Sequence, residues 1–247
     1  MPIQSVVPFR LYRQVAEQIA GLIRAGEFVV GDRLPSERDL STKLGVSRPT
    51  VREAMIALEI SGLVEVRTGA GIFVLPSPST DGVRRLSVAD AGPGPIELVD
   101  ARIVVETAIA AEAARQRTDE HLAQIEASIA AMRDAQSEQA NRDADRAFHA
   151  AMAAATRNGV LKELVDELWR EMFSPLFERM GHLTQLVPQT HPSTLGDHEQ
   201  IFKAVALGDG DEASRAMRAH LHNVRTTLLD NRIDAGSDQQ GKTGDAA

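Results

Sequence analysis

The sequence contains no cysteine. Disulfide frameworks, thiolate metal sites and cysteine nucleophiles are excluded together, so any metal must be held by His, Asp or Glu. Aromatic residues make up only 4% of the chain. With alanine abundant after residue 100, this favours helices packed closely on small side chains over an all-β core. No apolar run approaches the roughly 20 residues that a membrane span needs. The start "MPIQSVVPFR" lacks the charged beginning and long apolar core of a signal peptide. A cytoplasmic protein with no membrane partner is predicted. An excess of positive charge is also missing, since the formal net charge is −8, and such a chain has no general attraction for nucleic acid.

The charge that is present is unevenly divided. Residues 1–76 hold nine Lys/Arg against eight Asp/Glu, and the remainder holds 18 against 27. The acidic excess therefore lies in the second part, and the first can face a polyanion without opposing it. At 247 residues and 43% hydrophobic content, the chain is long enough for two packed cores.

The first part reads as an ordered set of short elements. "RLYRQVAEQIAGLIRAGEF" places Leu11, Val15, Ile19 and Leu22 at helical spacing, and Gly26 stands where the helix should stop. "VVGDRLP" reads as a turn. Ser36 followed by Asp39 resembles a capping box for a short helix over Leu40 and Leu44, which Gly45 ends. Ser47 as N-cap and Pro49 in the first turn open a third helix with Val51, Ala54, Met55 and Leu58 on its buried stripe. "LVEVRTGAGIFVL" makes two β-type runs about a glycine-rich tip. Helix, helix, turn, helix and hairpin predict a winged helix-turn-helix over residues 1–76.

Burying that stripe is expected to turn Arg48, Thr50 and Arg52 outward on the first turns of the third helix, where a helix-turn-helix meets the major groove. Arg38, at the start of the preceding helix, is expected near the same groove or its phosphate wall. The segments "GDRLPSERDL", "LGVSRPTVREAM" and "GLVEVR", with the glycine-rich wing, resemble the DNA-binding domain of the GntR family of regulators. The resemblance implies that Arg38, Arg48, Thr50, Arg52 and Gly69 contact operator DNA, with Ser47 at a phosphate and Thr68 at the wing tip. It also implies a homodimer on a palindromic double-stranded operator.

Residues 77–95, rich in Pro, Gly, Ser and Asp, read as a linker. Beyond them, helical patterns cover roughly 96–115, 119–136, 138–156, 159–181, 195–207 and 210–230, predicting an all-α bundle of about six helices over 96–231. The polar tail 232–247 is expected to be disordered. The fold class expected for the whole is mainly α, with the winged helix-turn-helix at the N-terminal end.

In the bundle, "DADRAFHAAM" sets Asp145 and His149 on one face of one helix, and His198 and His220 fall on two others. Spacing leaves two readings open: satisfied core or surface histidines, or an Asp/His₃ site with open positions for Zn, Ni or Mn. His121, His182 and His191 read as bystanders, and His222 points away from His220. "DRAFH", "DHEQIFKAV" and "ASRAMRAHL" are similar to the effector (FCD) domain of the FadR branch of the same family. That resemblance implies Asp145, His149, His198 and His220 as ligands of a divalent metal ion. Arg102 matches an arginine of that domain's first helix and either binds an effector carboxylate or pairs with Glu106. Asn158 reads as a helix-end residue.

A cationic centre and an arginine favour a small carboxylate effector. "RLYRQVA", "GPIELVDARIVVE" and "WREMF" resemble the UxuR/ExuR-like regulators of hexuronate and aldonate catabolism, which implies a sugar acid and a repressor released by it. Metal-responsive regulation and a metal-dependent enzyme are the alternatives. The site motif offers no general base, H-E-x-x-H or nucleophile elbow, so no enzyme is expected.

Overall fold

The computed structural model describes residues 11–67, 69–76, 92–184 and 192–229. The expected disordered tail, most of the expected linker, Thr68 and His191 lie outside the described residues. The described residues divide into two compact units, the first holding those up to Pro95 together with Ser174–Thr184 and Leu229, the second those of Ile96–Phe173 and of 192–228.

In the first unit, α1 (Leu11–Arg24) buries Val15 and Ile19. The short α2 (Glu37–Leu44) is capped by Ser36, whose side chain accepts from the Asp39 amide, and ends at Gly45 with φ +67°. That left-handed φ is one glycine adopts without a Cβ penalty. Helix α3 (Arg48–Ile60) opens on Ser47, which accepts from the Thr50 amide, and buries Val51, Ala54, Met55 and Leu58. Strands β1 (Val64–Arg67) and β2 (Gly71–Val74) pair antiparallel, Arg67 opposite Gly71 closing the hairpin. The expected winged helix-turn-helix is present.

The segment expected to be only a turn also lines the open edge of the wing. The Leu34 amide donates to Ile72 and the Gly31 amide to Val74, with an isolated bridge between Arg33 and Phe73. Pairing of this kind depends on β2 already being in place, and no local pattern encodes it.

The second unit holds α4 (Pro95–Gln116), α5 (Asp119–Asp134), α6 (Glu138–Ala155), α7 (Gly159–Glu171), α9 (Pro192–Leu207) and α10 (Gly210–Leu229). Ile125, Phe148, Met152, Trp169, Val205 and Leu221 are among its buried core. Asn158 is the N-cap of α7, accepting from the Val160 and Leu161 amides, as expected of a helix-end residue.

The single helix expected over 159–181 is two. α7 ends at Glu171, and α8 (Pro175–Thr184) starts on a proline and belongs to the first unit. A residue before proline disfavours the α conformation, and proline is at home in a first helical turn, so the chain breaks at Ser174. Helix α8 packs on α3, where the Arg179 Nε and Nη2 atoms donate to Glu59 at 2.7 and 3.0 Å. Glu59 also accepts from the Val66 amide at 3.1 Å, so one carboxylate ties α3 to β1 and α8.

Candidate metal centre and nucleic-acid interface

Around the N-terminus of α3, Ser47 and Arg48 are exposed and Thr50 is half-buried. The Ser47 and Thr50 hydroxyls are 2.8 Å apart. Arg38 is exposed in the first turn of α2, and Gly69 is exposed at the wing tip with φ +74°. Arg48 thus faces outward from α3.

Arg52 does not. It is 2% exposed, and its Nε and Nη2 atoms each lie 3.2 Å from a carboxylate oxygen of Glu37. The stripe Val51/Met55/Leu58 is broad enough for its flank to be covered by α2, and a buried guanidinium requires the acidic partner that α2 supplies. The expectation that Arg52 turns outward is therefore corrected.

In the second unit, the sequence-predicted metal residues come together. His149, His198 and His220 are all buried, and each offers a ligand atom within 4.8 Å of the others'. Asp145 Oδ1 lies 3.1 Å from His198 Nε2 and 3.4 Å from His149 Nε2. His198 is fully buried, yet neither of its ring nitrogens has a hydrogen-bond partner among the described residues. Asp145 Oδ1 also lacks a well-aligned donor. Orphaned buried polar atoms of this kind are costly. Three imidazoles and a carboxylate are a donor set that suits Zn, Ni or Mn, so the residues fit a divalent cation. His182 and His222 are exposed, and His121 serves in the capping box of α5.

Arg102 pairs with Glu106. It is 1% exposed, its Nε atom is 2.6 Å from Glu106, and its guanidinium lies over Trp169 at 4.4 Å with Nη1 2.8 Å from Met172 Sδ. Glu106 in turn has its other oxygen against His149 Nδ1. Burial alone would raise the Glu106 pKa, but Arg102 and His149 overcome it and hold the carboxyl down to about 2. Burial likewise works against ionisation of Asp145, and the two histidines facing it hold it well below the usual carboxylate range. His149 is desolvated too, yet Glu106 and Asp145 raise its pKa. Burial, reinforced by His198, brings His220 down to about 4, leaving that ring neutral near pH 7.

Sequence reasoning missed three neighbours of the site. Trp169 packs its ring 4.9 Å from that of His149, Met172 reaches Arg102, and Asp197 faces His220 Nδ1 at 3.5 Å. Asp197 directly precedes His198 in "DHEQ", which was its one legible signal.

Two family models match the chain: bacterial regulatory proteins, gntR family, over residues 11–74, and the FCD domain over residues 97–223. The Uxu operon regulator of Haemophilus influenzae is 34% identical over 90% of this chain and 83% of its own length. The Exu regulon transcriptional regulator of Escherichia coli K12 is 36% identical over 92% of this chain and 88% of its own. The Uxu operon transcriptional regulator of the same strain is 39% identical over 90% and 88%.

Proposed function

The chain belongs to the gntR family of bacterial regulatory proteins and carries an FCD domain, and from that premise we propose how its two candidate sites work together. It is a transcriptional regulator of this type and not an enzyme. The proposal is a cytoplasmic repressor with a DNA reader in residues 1–76, a linker over 77–95, an effector domain over 96–231 and a tail over 232–247. As a homodimer it binds a palindromic operator, with Arg38, Arg48 and Thr50 toward base edges and Ser47, Thr68 and Gly69 toward the backbone. Arg52, with both arms of its fork on Glu37, is assigned to holding α2 and α3 at their angle.

The signal in this reading is a small carboxylate, a sugar acid such as a hexuronate, bound beside a divalent ion at Asp145, His149, His198 and His220. The observation that carries it is the buried, unsatisfied histidine cluster in a chain with Uxu and Exu regulators among its relatives. A Zn, Ni or Mn ion there supplies a cationic centre with open positions for a carboxylate. Arg102 is the second proposed contact, and a carboxylate reaches its Nη1 atom in place of Met172 Sδ, with Glu106 kept on Nε and Nη2. Effector binding then favours a dimer geometry in which the recognition helices no longer match their half-sites.

The pairing of Arg102 with Glu106 supports a second reading, in which the ion itself is the signal and no anion needs to displace anything. One experiment separates them: fluorescence anisotropy of the operator at fixed salt, with metal-loaded and metal-stripped protein, with and without galacturonate, glucuronate, fructuronate and galactonate. Release by one acid, only in loaded protein, is the expected result. Release on loading or stripping alone selects the metal sensor, and operator binding indifferent to ion and acids overturns both.

A further inference from the structure

We infer that Glu106 and Asp197 are positioning residues for the metal ligands, each setting the ring of one histidine so that its Nε2 atom is the one presented to the ion. The inference rests on the metal reading above and adds two carboxylates to it.

An imidazole has two nitrogens that compete for a metal, and the partner taken by one decides which is left. At His149, Nδ1 lies against Glu106, and Nε2 faces both Asp145 Oδ1 and Arg102 Nη2 at 3.4 Å. At His220, Nδ1 faces Asp197 Oδ2 at 3.5 Å, which leaves Nε2. His198 turns Nε2 to the same Asp145 oxygen at 3.1 Å. Two rings, His149 and His198, thus turn Nε2 to one carboxylate oxygen, and the Nδ1 atoms of His149 and His220 meet carboxylates of their own. Outer carboxylates of this kind hold a ligating ring in one tautomer and make it a stronger base.

Both carboxylates are themselves held. Glu106, 1% exposed on α4, receives Arg102 Nε at 2.6 Å and Nη2 at 3.4 Å, and Arg102 is pinned over Trp169 and against Met172. Asp197 receives Asn223 Nδ2 at 3.1 Å, so α9 carries one ligand, His198, and the outer partner of another, His220 of α10. Three carboxylates stand against one guanidinium around the rings, a balance that a divalent cation completes.

The test uses the full chain, stripped with chelator and titrated with Co(II), which reports through its visible absorption and through quenching of Trp169, the one tryptophan of the sequence. Wild type should bind, and His198→Ala should not. Glu106→Gln and Asp197→Asn should each weaken Co(II) binding by about 10- to 100-fold and alter the Co(II) spectrum at saturation, with unchanged circular dichroism. Should Glu106→Gln not fold, Glu106→Asp replaces it: the charge paired with Arg102 stays, but the carboxylate draws back from His149 by one methylene, and binding should still weaken. Folded variants that bind Co(II) with wild-type affinity and spectrum overturn the inference while leaving the metal reading intact. A wild type that takes up no Co(II) overturns the metal reading itself.

Discussion

Arg48 and Arg52 stand one helical turn apart on α3 and face opposite environments, Arg48 exposed and Arg52 buried against Glu37. Truncating Arg48 removes a surface group, so Arg48→Ala should leave urea unfolding within about 0.5 kcal/mol of wild type and cost about 1–3 kcal/mol of operator discrimination at one base. Truncating Arg52 strips the fork from a buried carboxylate, and Arg52→Ala should destabilise the fold by about 3–5 kcal/mol. Equal stability of the two variants would overturn the distinction. Periodicity places both residues on one helix but says nothing of Glu37, which lies 15 positions away, across a turn whose geometry brings the fork into reach. The Arg102–Glu106 pair, four positions apart on one helix, was legible because the helix itself creates the contact. The approach of Glu106 to His149 joins α4 to α6, and only packing creates that.

At the scale of elements, chemistry at helix ends was the most legible part of the chain. Ser36, Gly45, Ser47 and Asn158 all cap helices as their residue types demand. Ser47 has two assignments, a structural cap and a proposed phosphate contact, and substitution can separate them. Ser47→Ala should cost about 1 kcal/mol in urea unfolding by losing the bond to the Thr50 amide. Ser47→Asp keeps an accepting oxygen at the cap, so its stability should stay near wild type. It also sets a carboxylate where a phosphate is proposed to sit, so its operator affinity should fall further than that of Ser47→Ala. Operator binding by Ser47→Asp equal to wild type would remove the phosphate contact. Less legible was the break at Ser174, because Pro175 interrupts a pattern whose apolar spacing continues on both sides. Association of α8 with α3 through Glu59 and Arg179, 120 positions apart, had no signal in sequence at all.

For the whole molecule, the second unit has a buried cluster that is incomplete by its own hydrogen-bond accounting, since His198 is fully buried and, among the described residues, neither ring nitrogen has a well-aligned hydrogen-bond partner, Asp145 Oδ1 approaching Nε2 at 3.1 Å. Such a cluster costs stability until something binds it, and a ligand that binds only the folded chain raises stability by about 2.7 kcal/mol at a free concentration 100 times its dissociation constant. Thermal unfolding followed at Trp169, beside His149, should therefore shift upward on adding Zn, Ni or Mn and return on adding chelator. His220→Ala should abolish most of that shift. Protons compete with the ion for the same nitrogens, so the metal-dependent shift must shrink on acidification. His149, whose pKa is raised, protonates before His220, which is held down to about 4. A shift that persists in acid or survives His220→Ala would place the ion elsewhere in the molecule. A shift tracking both would show that the cluster couples metal to folding, the linkage a signal needs before it can reach the operator.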